Sequence, residues 1–233
     1  MTKDIKESSN YLSASLLTLL VAFGGFIFGW DTGTISGFVN DQDFIRRFGK
    51  LNPLTNAYEL SDLRTGLIVS IFNIGCAFGG LFLSKTGDYW GRKKGLFITM
   101  IVYIVGIVIQ MSSAWSWIQY FVGRIVAGLA VGSISVLCPM FISETAPKAI
   151  RGALVSSYQL MVTAGIFIGY CVDYGVYHNF TDSRQWRIPL GLGFLWALLM
   201  ITGMAFMPES PRYLVSIGYP EHAKVSISKI NGT

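Results

Sequence analysis

Charge is scarce in this chain. Lysine and arginine supply 18 of 233 residues and aspartate and glutamate 13, whereas 52% of the chain is hydrophobic. That balance argues against a soluble domain and for a protein that crosses the membrane several times. Histidine occurs only at His178 and His222, each isolated, and no nucleophile–base constellation, metal-ligand cluster or phosphate-binding loop can be assembled. An enzyme is not expected, and no metal or other cofactor. The cysteines, Cys76, Cys138 and Cys171, are odd in number, and their spacing fits neither a metal site nor a disulfide framework. They read as small packing residues in apolar helices. A cleavable leader is missing too. Met1 to Asn10 is polar with both signs of charge, and the apolar run that follows is too long for a signal peptide. The first span is therefore expected to remain as an anchor.

Apolar windows of about 20 residues recur, each long enough to cross a hydrocarbon core roughly 30 Å thick. Spans are predicted near Leu12–Phe38, Leu63–Lys85, Leu96–Ser112, Trp117–Ile142, Ala153–Cys171 and Ile188–Met207. Little chain is left between them, so no separate soluble domain fits. With the N-terminus inside, lysine and arginine concentrate in the cytoplasmic segments, at Lys85, Arg92 to Lys94, Lys148, Arg151 and the C-terminal tail among others. This bias predicts both termini in the cytoplasm. The same charges are spread over short loops rather than gathered on one face, which excludes a nucleic-acid partner.

Two charges lie inside the apolar spans: Asp31 in the first and Arg124 in the fourth. Either one unpaired in hydrocarbon would cost roughly 2.5 to 17 kcal/mol, so such groups survive by pairing or by facing a water-filled path. The default reading is a solute route through the membrane, the alternative an ion pair that only fixes helix register. Glycines 25, 29, 33 and 37 recur every fourth residue in the first span, with Gly75 and Gly79 in the second, Gly128 and Gly132 in the fourth, and Gly165 and Gly169 in the fifth. In lipid, helices associate through close backbone approach at small residues, so this pattern predicts a tight bundle. Pro139 and Pro147 predict a bend or stop at the inner end of the fourth helix. Trp115, Trp117 and Tyr120 at the outer level, and Tyr89 and Trp90 at the inner, read as an interface belt.

Three cytoplasmic segments complete the pattern. Gly87-Asp-Tyr-Trp-Gly-Arg-Lys-Lys-Gly joins the second and third spans, its glycines permitting a tight turn and Asp88 placed to cap the next helix. Pro139-Met-Phe-Ile-Ser-Glu-Thr-Ala-Pro-Lys-Ala-Ile-Arg-Gly follows the fourth, and Pro208-Glu-Ser-Pro-Arg-Tyr-Leu the sixth. With Phe28-Gly-Trp-Asp-Thr-Gly-Thr-Ile-Ser-Gly, Gly123-Arg-x-x-x-Gly and Gln159-Leu, these segments occur in an order that resembles the sugar porter family of the major facilitator superfamily, most closely the yeast-type hexose transporters. The resemblance implies an all-α membrane fold: a six-transmembrane-helix N-terminal bundle of the major facilitator fold, built as 3+3 inverted repeats. Residues 1–11 would be a cytoplasmic tail, 12–207 the transmembrane half-domain and 208–233 the start of a cytoplasmic linker, cut short.

The resemblance also implies roles. Gln159 matches a glutamine that hydrogen-bonds sugar hydroxyls, a job suited to an amide that both donates and accepts; Val162 and Ile166 match walls of the sugar pocket, and Phe28 an aromatic beside it. Asp31 and Arg124 match a pair that couples protons in some relatives. Asp88, Arg92, Glu144, Arg151, Glu209 and Arg212 match a cytoplasmic gating network, with Lys93 standing where many relatives carry a second arginine and losing its bidentate fork. Asn179-Phe-Thr is a glycosylation sequon on the outer side, whereas Asn231-Gly-Thr is expected inside and unmodified. The implied function is transport of glucose-like hexoses across the plasma membrane, by facilitated diffusion with alternating access. Asp31 leaves proton symport open. The family has twelve helices, so six supply half a carrier; its partners would be hexose, the bilayer, and a complementary C-terminal half or a second copy. A transporter-like glucose sensor and a partner-dependent or vestigial membrane fragment are the alternative readings.

Overall fold

The computed structural model describes residues 2–52, 57–113 and 116–231. In chain order these form α1 (Thr2–Phe38), α2 (Gln42–Phe48), a hairpin of β1 (Lys50–Asn52) and β2 (Ala57–Glu59), α3 (Asp62–Leu81), a 3-10 turn (Leu83–Lys85), α4 (Thr86–Trp90), α5 (Arg92–Met111), α6 (Trp117–Thr145), α7 (Arg151–Asn179), α8 (Arg184–Phe206), α9 (Pro211–Ser216) and α10 (Pro220–Asn231). Six helical stretches among the described residues are long and apolar enough to span a membrane: Ala14–Phe38, Asp62–Trp90 and the whole of α5, α6, α7 and α8. The protein is a multi-pass membrane protein with six spans. Trp115 and the end of the second sequon lie outside the described residues.

Glycine decides which helices touch most closely. α1 packs along α7, and α3 along α6. A Cβ on Gly29 would overlap the Val162 carbonyl, and one on Gly33 would lie 2.8 Å from the Ile166 oxygen. Across the second interface, a Cβ on Gly79 would overlap the Leu129 carbonyl and one on Gly132 the Cys76 carbonyl. Both seams are therefore backbone against backbone, as small residues permit in lipid. Spans one and five pair as spans four and two do, the correspondence that two inverted three-helix repeats produce. α5 lies along α6 on its other side, and α8 closes the bundle against α1 and α5. At that closure Phe23, Phe26, Trp30 and Trp196 form an aromatic cluster, and Trp30 Nε1 donates to the Pro189 carbonyl at 3.2 Å.

Several boundaries differ from the sequence reading. α6 runs through Pro139 and stops only at Thr145, where Ala146 is extended before Pro147, because a residue preceding proline is pushed out of the helical region. α7 continues to Asn179, beyond the expected Cys171, so that Asp173 and Val176 are still helical. The connection between the first two spans has structure of its own. Its helix α2 buries Phe44 and Phe48 against Tyr120, at ring-centroid distances of 5.2 and 5.5 Å. Tyr120 is thus a core residue and not part of an interface belt. Tyr89 and Trp90 at the other end are exposed. Cys138 is buried and Cys76 half-buried, but Cys171 is exposed on α7, so it is not a packing residue.

Candidate functional site

Asp31 on α1 and Arg124 on α6 meet in the middle of the bundle, 3.6 Å apart, at 3% and 1% exposure. The guanidinium also lies over the Phe72 ring of α3, 4.3 Å from its centroid, and the Tyr103 hydroxyl of α5 interacts with the Asp31 carboxylate. Four helices therefore converge on one pair. The pair is incompletely satisfied: Asp31 Oδ2 and Arg124 Nε and Nη2 have no hydrogen-bond partner among the described residues, and the buried Tyr120 hydroxyl has none either. Phe72 and Tyr103 carry no sequence signal beyond a ring, or an aromatic side chain with a polar tip, at mid-span, and Tyr120 reads from the sequence as an interface aromatic rather than as a neighbour of this pair.

The residues matched to the sugar pocket fall on α1 and α7. Gly25 abuts Tyr158 and Gly29 abuts Val162, so Phe28 and the Gln159–Val162 turn sit at the same height on neighbouring helices. Their surroundings differ. Val162 is buried in the α1 seam, Ile166 and Phe28 are half-buried, and Gln159 is exposed one turn earlier on the free face of α7. Gln159, Val162 and Ile166 are thus adjacent positions of one helix, of which Gln159 reaches open space and Val162 serves chiefly as packing.

At the Gly91 end of the bundle a polar cluster joins several helices. Arg92 grips Glu144 with two hydrogen bonds, Nε to Oε2 and Nη2 to Oε1, each 3.0 Å. The geometry is bidentate, the strong form of a charged pair. Arg92 Nη1 donates to the Gly87 carbonyl at 3.0 Å and pairs with Asp88 at 3.3 Å, while its guanidinium stacks on Tyr213, 5.2 Å from the ring centroid. Ser210 donates to Glu144 Oε2 and caps α9 by accepting from Tyr213 N. Glu209 accepts from Lys93 N at 3.2 and 3.3 Å.

This last contact corrects the expectation for Asp88. The chain turns at Gly91, whose φ of 99° glycine adopts without penalty, and residues 86–90 are already helical. Asp88 is consequently one turn before Arg92 and pairs with it, and the first turn of α5 is closed by Glu209 from across the bundle. Lys93 has a task that needs no fork: its Nζ donates to the carbonyls of Ala205 and Met207, both at 2.8 Å, covering the C-terminus of α8. Arg151 and Arg212 stand apart from this cluster. Arg151 Nη2 donates to the Ala146 carbonyl at 3.3 Å, and Arg212 is exposed on α9. Asn179 is the last residue of α7, exposed, with Nδ2 donating to the Gly175 carbonyl at 2.7 Å.

The bundle thus carries a buried cross-helix ion pair, an amide on a free helix face and a charge cluster at one end. The family model described as "Sugar (and other) transporter" matches residues 17–233. The low-affinity glucose transporter HXT4 of Saccharomyces cerevisiae is 62% identical over 226 residues, 97% of this chain and 39% of that protein. Hexose transporter 2 of Kluyveromyces lactis is also 62% identical, over 97% of this chain and 40% of its own length. The galactose transporter of Saccharomyces cerevisiae matches at 62% with 97% and 39% coverage. The chain thus spans about two fifths of the length of these relatives. Among solved structures, the partially occluded inward-open form of the xylose transporter XylE from E. coli superposes with a TM-score of 0.82 at 29% identity, over 95% of this chain and 56% of that one. XylE bound to 6-bromo-6-deoxy-D-glucose, a proton:xylose symporter, gives 0.80 at 29%, over 96% and 50%. With nearly its whole length matched, and with half of the major facilitator fold reproduced around the Asp31–Arg124 pair, this chain belongs to the sugar transporter family and is not an enzyme.

Proposed function

We propose that the chain forms the N-terminal half of a hexose carrier of the plasma membrane, with both termini cytoplasmic and a complementary half facing its α1 and α7. The observation that carries this reading is the exposed Gln159 on α7, level with Phe28 on α1, above a seam of glycine contacts. An amide at that place can donate to and accept from sugar hydroxyls, and Phe28 and Ile166 supply apolar flanks. The cytoplasmic cluster around Glu144 would latch the inner ends of α5, α6 and α9 and release them as the halves rock. Asp31 and Arg124 hold α1 to α6 through that motion. Residues 1–11 and 208–233 lie on the cytoplasmic side of the half-domain, and Asn179 on the outer side, open to glycosylation.

Solute movement is downhill in this proposal, which takes the glucose, hexose and galactose transporters at 62% identity, rather than the proton:xylose symporter at 29%, as the nearer guides to substrate. Cells without their own hexose carriers would express this chain together with the C-terminal half of a yeast hexose transporter. Saturable D-glucose uptake is expected, unaffected by collapse of the proton gradient. Gln159→Ala should lower uptake efficiency about 10- to 100-fold, the loss of one or two hydrogen bonds at about 1 to 1.5 kcal/mol each. Unchanged uptake in Gln159→Ala, or dependence on the proton gradient, would contradict the reading. Uptake by this chain alone would replace the complementary half by a second copy.

A further inference from the structure

A cavity of about 660 Å³ opens at the outer end of the bundle between α1 and α7, and its wall, which begins at Phe167 on α7, does not include Gln159. Its size lies within the roughly 300–1,000 Å³ of small-molecule sites. Much of the wall is aromatic: Tyr174 and Tyr177 present exposed rings along α7, and the Tyr174 ring lies against His178, tilted by 38° with centroids 4.4 Å apart. The rest is unusually rich in unmatched acceptors. Gln185 at the start of α8 is 4% exposed. Its Nε2 donates to the Phe180 carbonyl at 2.7 Å, and its Oε1 is buried with no hydrogen bond among the described residues. Both carboxylate oxygens of Asp173 are likewise buried and without a hydrogen bond there. Room for that carboxylate exists because residue 37 is glycine: a Cβ there would run into it. Asp41, 5% exposed, completes the polar side.

Buried acceptors without donors call for a ligand that brings donors. A hard cation is a poor fit, since two carboxylates and one amide fall short of the six to eight oxygens calcium takes and the tyrosine rings would add nothing. A monosaccharide fits both halves of the wall: its hydroxyls donate to carboxylate and amide oxygens, and its C–H face covers a tyrosine ring. The geometry points to a second sugar site in this outer cavity, separate from the Gln159 face, with the ring of a hexose against Tyr174 and Tyr177 and its hydroxyls donating to Asp173, Gln185 Oε1 and Asp41. It extends the proposal that the chain handles hexoses by giving the sugar a first resting place before the mid-membrane site.

The test uses the full chain in lipid nanodiscs and saturation-transfer NMR with D-glucose. In a Gln159→Ala background, transfer to the sugar ring protons should persist, and adding Gln185→Leu or Tyr174→Ala should weaken the apparent affinity at least tenfold. Tyr174 is exposed, so its truncation leaves the packing of the bundle intact even if Gln185→Leu disturbs it. Loss of all transfer in Gln159→Ala alone, or no change on adding Tyr174→Ala, overturns the outer site. So does tight binding of radioactive calcium that Asp173→Asn abolishes while glucose binding is unaffected. Failure of uptake in co-expressing cells with persistent transfer in the Gln159→Ala background would instead overturn the carrier reading and leave the outer site standing.

Discussion

Replacing Asp31 by asparagine isolates the energetics of the buried pair. Arg124 would keep its charge at 1% exposure with its nearest counter-ion, 3.6 Å away, gone. Removing one partner of such a pair destabilises by about 3–5 kcal/mol, because the remaining charge is uncompensated. The Phe72 ring lies 4.3 Å from the guanidinium with or without Asp31, so it does not change the difference, and a net loss of about 3–5 kcal/mol is expected. Substituting Arg124→Met in addition removes the stranded charge and should return most of that loss, since apolar replacements of buried pairs are often neutral. Unfolding in detergent micelles, followed by tryptophan fluorescence in the two single variants and the double, gives the coupling energy directly. The exposed Arg184–Asp182 pair, 3.0 Å apart with both side chains at least 60% exposed, is the internal control, with an expected coupling of at most about 1 kcal/mol. Additivity of the Asp31 and Arg124 substitutions within about 0.5 kcal/mol would refute the claim that the two form a unit.

Three further outcomes follow from the packing and the charges. Gly132→Ile drives a branched side chain into the Cys76 backbone and should destabilise the bundle by about 3 kcal/mol or more, overpacking being costly where only backbone can give way; unchanged thermal stability in micelles would contradict the seam. Glu144→Gln removes the charge from the Arg92 grip and should cost about 1–3 kcal/mol, with faster hydrogen exchange in residues 211–216, and unaltered exchange there would argue against a latch. Asp41, in the connection after α1, has its pKa pushed up from 3.8 to about 7 by burial, with the Asp43 charge adding to it. Since the folded state holds this proton more tightly than the unfolded state, stability should fall as pH rises from about 4 through about 7, by at most about 4 kcal/mol at 1.36 kcal/mol per unit. Asp41→Asn should flatten that slope in a melting series, and a slope of the opposite sign would refute the assignment.

How far the sequence disclosed this structure depended on the length of the signal. Apolar runs of twenty residues mark a span without ambiguity, and glycines at a spacing of four indicate close helix packing, but the pairing of α1 with α7 and of α3 with α6 is visible only in the structure. The Arg92–Glu144 contact joins residues 52 positions apart, which no local pattern reveals, and it was legible only through resemblance. Where the signal was short, the reading failed. Phe44 and Phe48, four residues apart with Arg46 and Arg47 between them, could have disclosed α2, but a seven-residue helix lies below the length at which periodicity stands out. Asp88 was read as a cap because α4 is a single turn invisible in sequence, and the true closing group, Glu209, is 116 residues from Lys93. Tyr120 resembled an interface aromatic until α2 was known to cover it. The outer cavity had no signature at all, being made by α1, α7 and the start of α8 together.

Whether Gln159 faces a sugar route is tested most directly by its accessibility. In a Cys171→Ser background, which removes the exposed native thiol, Gln159→Cys would be labelled with a membrane-impermeant thiol reagent in membranes carrying this chain and a yeast C-terminal half. Labelling from water, slowed by D-glucose and not by L-glucose, is the result expected of a sugar-lined path. A thiol that never reacts, or that reacts at the same rate with either sugar present, would place Gln159 against lipid or in plain solvent and contradict the proposed transport role.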